Sequence, residues 1–336
     1  MSESSFIILI FIIINLCIYK FKEKIFKYIP IFDFPDGERK RHSSPTLLHG
    51  GTIFYINIIF LIILLYFFPI SNLGFSKYNL ISIFILLSLF YFLGLADDIF
   101  DISPYFKIFF SFFFLFFFLY FNPNFIITVF KFDIFQLDIS TGNLGIYLTI
   151  LSILLFNNAF NMFDGSNLQV SNYILCILFF FIIKINENII FILFLIPSFF
   201  FMLMNYKNFM FMGNSGTLML SVIFSILFIH FYNNSIVFNY CEEIFLIMLI
   251  PGIDMLRVFI IRIIKNKNPF TADREHIHHL LSKILLSNNQ VQLVIFFANF
   301  LAISLVYFKV DLLLSLFIIS SIYTTLIFYG KKLIVF

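Results

Sequence analysis

Long runs of apolar residues, separated by short polar segments, recur along the chain from Phe6 almost to the C-terminus. A helix that crosses the hydrocarbon core of a bilayer needs about 20 predominantly apolar residues. We therefore predict an all-α, polytopic integral membrane helix bundle that forms a single domain over residues 1–336. The runs predict eleven spanning helices, at residues 5–20, 52–70, 79–96, 105–122, 143–158, 170–184, 189–205, 216–232, 243–261, 290–307 and 311–329.

Lysines and arginines are distributed unevenly between the two sets of alternate loops. One set, with the C-terminal tail, holds 17 of the chain's 21 Lys and Arg residues. Cytoplasmic loops of membrane proteins carry such an excess. We therefore predict a multi-pass protein of the cell inner membrane, with the N-terminus outside and the C-terminus in the cytoplasm. The basic set comprises residues 20–51, 97–107, 157–169, 205–215, 257–287 and the tail from Gly330.

The composition excludes several classes of protein. Hydrophobic residues make up 61% of the sequence and charged residues 12%, whereas a soluble domain carries about 25% charged residues. The net charge of +3 is too small to indicate a nucleic-acid partner. The three cysteines are scattered and predict neither a disulfide framework nor a metal knuckle.

Polar residues form five clusters, all on the predicted cytoplasmic side. Charges at membrane depth are costly, so they usually mark a functional site or a water-filled cavity. The outward loops are short and carry no comparable chemistry. The pattern therefore predicts one shared active site that faces the cytoplasm. The clusters lie at residues 33–45, 97–101, 157–167, 205–216 and 254–279.

The acidic cluster ends the third predicted helix. Asp97 and Asp98 are adjacent, and Asp101 is expected one helical turn further along the same face. Two carboxylates about 4 Å apart repel by about 4 kcal/mol at an effective dielectric near 20, so both stay ionised only beside a cation or hydrogen-bond donors. Lys107, nearly three turns further on, is a candidate for phosphate contact. The alternative is a solvated helix end.

The second cluster is rich in amides. Asn158, Asn161 and Asp164 recur every three residues, and Gly165 then permits the chain to leave the helix. Amide and carboxylate oxygens suit Mg²⁺, which prefers oxygen ligands and keeps several waters. A capped helix end in an Asn-rich sequence is the alternative interpretation.

The third cluster is the glycine-containing segment from Phe211 to Thr217. Small residues at the start of a helix expose backbone N–H groups, which form an anion site. A turn that joins two spans explains the same residues equally well.

Histidines dominate the fourth cluster, which runs from Pro269 to His279. His276, His278 and His279 resemble zinc ligands in type, but no cysteine or fourth ligand has suitable spacing. With Arg274 beside them, recognition of phosphate or sugar is the favoured interpretation, and a solvated polar loop is the alternative.

The fifth cluster, from Asp33 to His42, is basic. Such a run next to the membrane also attracts anionic lipid headgroups, so it serves topology as readily as a site.

Taken in order from Asp33 to His279, these clusters resemble the motifs of the polyprenyl-phosphate N-acetylhexosamine-1-phosphate transferase family. That family includes phospho-N-acetylmuramoyl-pentapeptide transferase and the bacterial undecaprenyl-phosphate GlcNAc-1-phosphate transferases. The stretch Asp273-Arg-Glu-His-Ile-His-His279 is similar to the GlcNAc branch. The resemblance implies transfer of N-acetylhexosamine-1-phosphate from a UDP-sugar to undecaprenyl phosphate, with release of UMP, in the synthesis of a cell-surface polysaccharide.

The resemblance also implies roles for single residues. Asp97 and Asp98 match an aspartate pair that engages or deprotonates the lipid phosphate, with Asp101 beside them, and Lys107 matches a lysine that contacts phosphate. Phe211 matches an aromatic residue that stacks on uracil, and Asn167 one that hydrogen-bonds it. Arg274, His276, His278 and His279 match the loop that recognises sugar and pyrophosphate. Asn161 matches a Mg²⁺-coordinating position, and Asp164 is a further candidate for a catalytic carboxylate.

One departure from the family pattern concerns the metal. The family has GDxGS where this chain has Gly213-Asn214-Ser-Gly-Thr, and that aspartate is a principal Mg²⁺ ligand. Asn214 keeps a carbonyl oxygen without the negative charge, so we expect weaker binding of Mg²⁺, or a preference for Mn²⁺. A second departure, Asn167-Leu168 in place of Asp-Gly, affects a loop turn. Two other interpretations stay open: a family member without turnover, and a transporter. A homodimer is one assembly that the sequence allows.

Overall fold

A computed structural model describes residues 3–27, 30–34, 45–68, 74–185, 189–269, 274–284 and 287–332. Within these ranges the chain is built almost entirely from α-helices, with two short antiparallel strand pairs. The helices are α1 Glu3–Ile25, α2 Gly50–Phe67, α3 Lys77–Phe100, α4 Pro104–Phe121, α5 Gly145–Phe163, α6 Gln169–Lys184, α7 Ile189–Tyr206, α8 Gly213–Asn233, α9 Cys241–Ile247, α10 Leu249–Ile264, α11 Ile277–Leu281, α12 Asn288–Tyr307 and α13 Leu312–Lys332. The strands are β1 Phe32–Asp33, β2 Thr46–Leu47, β3 Val129–Phe132 and β4 Leu137–Ser140.

The predicted class, a polytopic membrane helix bundle, is confirmed. Among the described residues, nine helices are long and apolar enough to cross a membrane. The pair α9 and α10, which meet at an angle of 75°, adds a tenth if it forms one broken span. The predicted span 170–184 corresponds to α6, an apolar helix of 16 residues that is too short for this count. Each of the other predicted spans coincides with one of these helices or with the bent pair.

The chain divides into two compact units. The first contains Met1–Pro123 and Ile177–Ile223, and the second contains Asn124–Cys176 and Phe224–Phe336, so that the division falls within α6 and α8. The predicted single domain stays a prediction.

In the first unit, α1 packs against α7, and α2 packs against both α3 and α7. A pair of buried asparagines joins α1 to α2: the amide of Asn15 donates to Asn57 Oδ1 at 2.7 Å, and Asn57 donates back at 3.2 Å. Buried amides in an apolar bundle need such partners, because an unpaired polar group costs free energy. The exchange therefore fixes the register of these two helices.

The second unit is organised around α5, α10, α12 and α13. Helix α10 packs against α5, and α12 packs against α9 and α13. Strands β3 and β4 form a hairpin in which Val129 pairs with Ser140 and Phe132 with Leu137. The hydroxyl of Tyr232, at the end of α8, donates to the Val129 carbonyl at 2.8 Å. This bond ties the hairpin to the helices of its own unit.

The turn between α3 and α4 follows from its sequence. Asp101 caps α3 in the left-handed region, with φ 50°, and its N–H donates to the Asp97 carbonyl at 3.0 Å. Ser103 then caps α4, and Pro104 occupies its first turn, where the missing N–H of proline has no cost. The chain therefore reverses after Phe100 and begins a new helix at once.

Candidate active site

The carboxylate of Asp98 is held by the first turn of α8. It accepts the backbone N–H of Asn214 at 2.7 Å and that of Ser215 at 3.0 Å. The N-terminus of a helix stabilises an anion through its unpaired N–H groups and its dipole. Two of the backbone N–H groups in the segment Phe211–Thr217 therefore bind a carboxylate of the same unit, and a role of this segment in binding a ligand stays a prediction.

Glycines allow α2, α3 and α8 to meet at backbone distance. A Cβ atom at Gly94 of α3 would lie 2.5 Å from the backbone N of Ser215, and one at Gly51 would lie 2.7 Å from the Cα of Gly216. At Gly213, where φ is +74°, a Cβ would lie 2.8 Å from the Asp98 carboxylate. Only glycine fits these positions without displacement, so the approach of α3 to α8 depends on them.

We expect Gly94→Ala to lower the thermal stability of the purified protein in detergent, because its methyl group overlaps the backbone of α8. Overpacking of this kind costs about 1–3 kcal/mol. The matched control is Gly252→Ala in α10, where no atom lies within 4 Å of the added Cβ. The control should melt at the wild-type temperature or above it, since alanine favours a helix over glycine. Equal melting temperatures for the two variants would contradict the close crossing.

Asp97 and Lys107 form an ion pair. Lys107 Nζ lies 2.8 Å from Asp97 Oδ2, and the lysine side chain is 23% exposed against 4% for the aspartate. Lys107 lies in the first turn of α4, within the predicted span 105–122, and reaches back to Asp97 across the turn between the two helices. The expected position of Asp101 on the helix face of Asp97 is wrong. Asp101 is the exposed, left-handed cap that ends α3.

Phe211 and Asn214 lie beside this carboxylate cluster in the chain. The backbone of Phe211 bonds to the segment before α2: its N–H donates to Leu47 and its carbonyl accepts from Gly50. Both side chains are partly exposed. The first unit thus brings Asp97 and Asp98 of α3 and Lys107 of α4 close to the Gly213–Gly216 segment. Their role in a site stays a prediction.

The second unit holds the amide cluster. Asn157, Asn158 and Asn161 lie in the last turns of α5, and Asp164 caps the helix with its N–H directed at the Asn161 carbonyl, 3.2 Å away. This geometry agrees with both earlier interpretations, a helix cap and an oxygen-rich site. Asn167 lies in the short turn that follows, before α6.

That turn is fastened to α12. Gln292 donates to the hydroxyl of Ser166 at 2.6 Å, and Ser166 donates to Gln169 at 2.9 Å. Gln292 is 2% exposed. The Asp164–Asn167 segment is therefore anchored by a buried contact, although it lies outside any helix.

The three histidines are buried rather than solvated. His276, His278 and His279 are 8%, 5% and 9% exposed, and they form a compact array in which the centroids of the last two rings lie 4.1 Å apart. A Cβ added at Gly165 would overlap the His278 ring. The second unit thus brings the Asp164–Asn167 turn against the histidines. Arg274 is exposed at the start of this segment.

His276 is held by Asp254, which the sequence placed at the edge of the polar range 254–279 without a role of its own. Asp254, in α10, is 3% exposed, and its Oδ2 lies 2.8 Å from Nδ1 of His276. Arg257 lies 2.9 Å from Oδ1 of the same carboxylate, and Tyr323 of α13 donates to it at 2.8 Å. An aspartate within an apolar span, with an arginine three residues later, was a readable signal of a buried ion pair.

Part of the basic cluster lies outside the described residues. That part covers 35–44, and Asp273 lies outside them as well. Asp33 pairs with Thr46 in the β1–β2 ladder. Within the described part of the chain, no three His, Cys, Asp or Glu side chains form a metal-binding group.

The regions of similarity to known proteins include several of the residues described above. The model of glycosyl transferase family 4 matches residues 80–232, a range that includes Asp97, Asp98, Asp164 and Asn214. The undecaprenyl-phosphate alpha-N-acetylglucosaminyl 1-phosphate transferase of Escherichia coli O157:H7 is 25% identical over 322 residues, which cover 91% of this chain and 83% of that protein.

A second relative matches a shorter stretch. The protein of the same name from Pasteurella multocida (strain Pm70) is 44% identical over 52 residues, which cover 16% of this chain and 15% of that protein. These comparisons confirm the resemblance that the motifs indicated, to the polyprenyl-phosphate N-acetylhexosamine-1-phosphate transferases.

Proposed function

We propose that this protein transfers N-acetylhexosamine-1-phosphate, as GlcNAc-1-phosphate, from a UDP-sugar to undecaprenyl phosphate and releases UMP. The observation that carries the proposal is the similarity along 91% of the chain to an enzyme named for transfer to this lipid. The buried charged groups at the ends of spanning helices support it, because such groups in a membrane protein usually serve function.

The reaction exchanges one phosphoanhydride for another. An oxygen of the lipid phosphate attacks the sugar-side phosphorus of the UDP-sugar. A P–O bond forms to the lipid, the P–O bond to UMP breaks, and UMP leaves with its electron pair. Both substrates are anions, so catalysis must come from positioning and from neutralisation of charge.

The chemistry of the candidate site residues suggests a role for each in this reaction. Lys107 neutralises phosphate charge, and Asp97 holds its ammonium in place through the 2.8 Å ion pair. Asp98 and Asp164 are the other two carboxylates proposed to take part. Arg274 and the three histidines present N–H donors suited to pyrophosphate and sugar oxygens.

We propose Mg²⁺ as the cofactor, because each unit, taken by itself, carries oxygen donors that suit this ion. The first unit offers the carboxylate of Asp98 beside Asn214, whose side chain carries an amide oxygen. The second offers Asn161 and Asp164 at the end of α5. These are hard oxygen donors, and Mg²⁺ needs only one or two carboxylates besides water and substrate phosphates. When bound, the ion supplies neutralisation of phosphate charge.

An apolar groove on α10 is compatible with a lipid substrate. It has a volume of about 340 Å³ and is lined by Ile253, Leu256, Ile260, Ile261 and the side chain of Arg257. The Arg257 guanidinium is bonded to Asp254, Tyr323 and the Glu275 carbonyl, so the groove suits a hydrocarbon chain and not its anionic head.

The site is proposed to face the cytoplasm of the inner membrane. A cysteine placed at Ser282 should react with a membrane-impermeant maleimide only after the cytoplasmic face is opened, and one placed at Asn234 should react in intact cells. The two further positions suited to this mapping, Ser43 and Asn72, lie outside the described residues. Reaction of Ser282→Cys in intact cells would overturn the cytoplasmic orientation.

The direct test is an assay with the purified protein, radiolabelled UDP-GlcNAc and undecaprenyl phosphate. We expect a radiolabelled lipid product and an equal amount of UMP. Binding of UDP-GlcNAc without product supports a family member that lacks turnover. A third outcome supports a transporter: no lipid-linked product forms, but a substrate crosses the membrane of proteoliposomes that contain the protein.

A further inference from the structure

The carboxylate of Asp254 accepts hydrogen bonds from four groups, which belong to α10, to α13 and to the start of α11. Those donors are Arg257 at 2.9 Å, Tyr323 at 2.8 Å, the N–H of Ile277 at 3.1 Å and His276 at 2.8 Å. Its orientation is therefore fixed from several directions at once.

The arginine accounts for the buried charge. Arg257 and Asp254 form an ion pair with exposures of 15% and 4%, and Arg257 also donates to Tyr323 at 2.6 Å and to the Glu275 carbonyl. A buried carboxylate is costly unless paired and hydrogen-bonded, and here both conditions hold. Two of the four donors, His276 and the Ile277 N–H, belong to a different segment from the ion pair, so the carboxylate also connects α10 to that segment.

Those two contacts converge on the start of α11. This helix has five residues, and its N-cap, His276, makes no capping bond with its own side chain. A helix this short is not stable by itself. Asp254 supplies the missing acceptor by taking the Ile277 N–H, so a residue of α10 determines where α11 begins. His278 and His279 follow within its first turns.

The same carboxylate determines how His276 presents its ring. An ionised carboxylate can only accept, so Nδ1 of His276 carries the proton in this bond. Nε2 is then the nitrogen left for other contacts, and the ring plane is fixed. The His276 and His278 rings are parallel, with centroids 5.9 Å apart and an interplanar angle of 1°, so the orientation of one ring constrains the other.

We infer that Asp254 is a positioning residue for the histidine cluster, which in the proposed function recognises the nucleotide-sugar. Its bond to Nδ1 fixes the tautomer of His276. Its bond to the Ile277 N–H fixes where α11 begins, and with it the direction of the histidine side chains. The inference rests on the proposed function. Asp254 acts through His276 and is not assigned contact with substrate.

The test is a double-mutant cycle on kcat and KM. Asp254→Asn keeps the shape but turns a donor towards Nδ1, which favours the other tautomer. We expect kcat/KM for UDP-GlcNAc to fall about 10–100-fold, as for other groups that orient a functional histidine. The KM for UDP-GlcNAc should rise while that for undecaprenyl phosphate stays within about twofold. In a protein that already carries His276→Gln, adding Asp254→Asn should lower kcat/KM for UDP-GlcNAc by less than about threefold. The second effect is small because the two residues act through the same contact and their effects are not additive.

The matched control is Glu242→Gln. Glu242 is also a buried acid of the second unit, 6% exposed, and accepts the Ile134 N–H at 3.3 Å beside the β3–β4 hairpin. It should keep the wild-type KM values. If Asp254→Asn does not accumulate in membranes, Asp254→Glu replaces it in the cycle, because it keeps the negative charge beside Arg257 but moves the carboxylate away from Nδ1 of His276.

Three results are distinguishable. Coupled effects with a rise in the KM for UDP-GlcNAc support the inference. Additive effects, or equal changes in both KM values, overturn it and leave Asp254 a structural ion-pair partner, while the transferase activity stands. A wild-type protein that forms no lipid-linked product overturns the proposed function and the inference with it.

Discussion

Asp97→Asn is expected to lower turnover of the proposed transfer by about 10²–10⁴-fold, the usual effect of losing a group that moves a proton or orients a reacting phosphate. The substitution removes the carboxylate that holds Lys107 at 2.8 Å. Lys107 is 23% exposed, so water can solvate the released ammonium and the helices should stay folded. The measurement is the rate of lipid-linked product per amount of protein in membranes.

Asp98→Asn is expected to reduce turnover over the same range, with an additional loss of stability. Asp98 accepts two backbone N–H groups of α8, and an amide in its place turns one donor towards another. Asp97→Asn is therefore the sharper test of chemistry. Asp138→Asn, on the exposed strand β4, is the acid-to-amide control and should retain activity. Near-normal rates in both Asp97→Asn and Asp98→Asn would show that these two carboxylates have a structural role and not a catalytic one.

The spanning helices could be predicted because their signal is local. A bilayer requires a continuous apolar run, and the run at residues 105–122, for example, coincides with α4 at Pro104–Phe121. The 16-residue α6 shows the limit, since an apolar run that matches a helix does not establish a span.

The error at Asp101 has a local cause. Spacing of three and four residues placed Asp101 on the helix face of Asp97, but this holds only while the helix continues. Asp101 takes φ 50° and ends it. The pair Ser103-Pro104, a cap followed by proline in the first turn, marks the break between the two helices more sharply than the apolar runs did.

Contacts distant in sequence could not be predicted from local patterns. Tyr323 meets Asp254 across 69 positions, and Gly94 meets the backbone of Ser215 across 121. The motifs supplied the residue types of the candidate site, whereas the support of His276 by Asp254 required the fold.

The second large effect concerns residue 214. We expect Asn214→Asp to lower the Mg²⁺ concentration for half-maximal activity, because a carboxylate attracts a divalent ion more strongly than an amide does. The Asn214 N–H donates to Asp98 at 2.7 Å, so the new carboxylate joins an existing one. Like charges about 4 Å apart repel by about 4 kcal/mol at an effective dielectric near 20, and a divalent cation reverses the sign of that interaction.

The melting temperature of the purified protein is a second readout, which does not depend on activity. In EDTA the Asn214→Asp protein should melt at a lower temperature than the wild type, and Mg²⁺ should raise its melting temperature more than that of the wild type. Asn208→Asp, in the exposed turn after α7, adds the same charge as a control and should show neither effect. An unchanged Mg²⁺ dependence of both activity and melting would mean that residue 214 does not contribute to metal binding and that another carboxylate, with Asp164 the first candidate, does. An inert wild type that gains turnover with Asn214→Asp would identify a family member that has lost its activity at this residue.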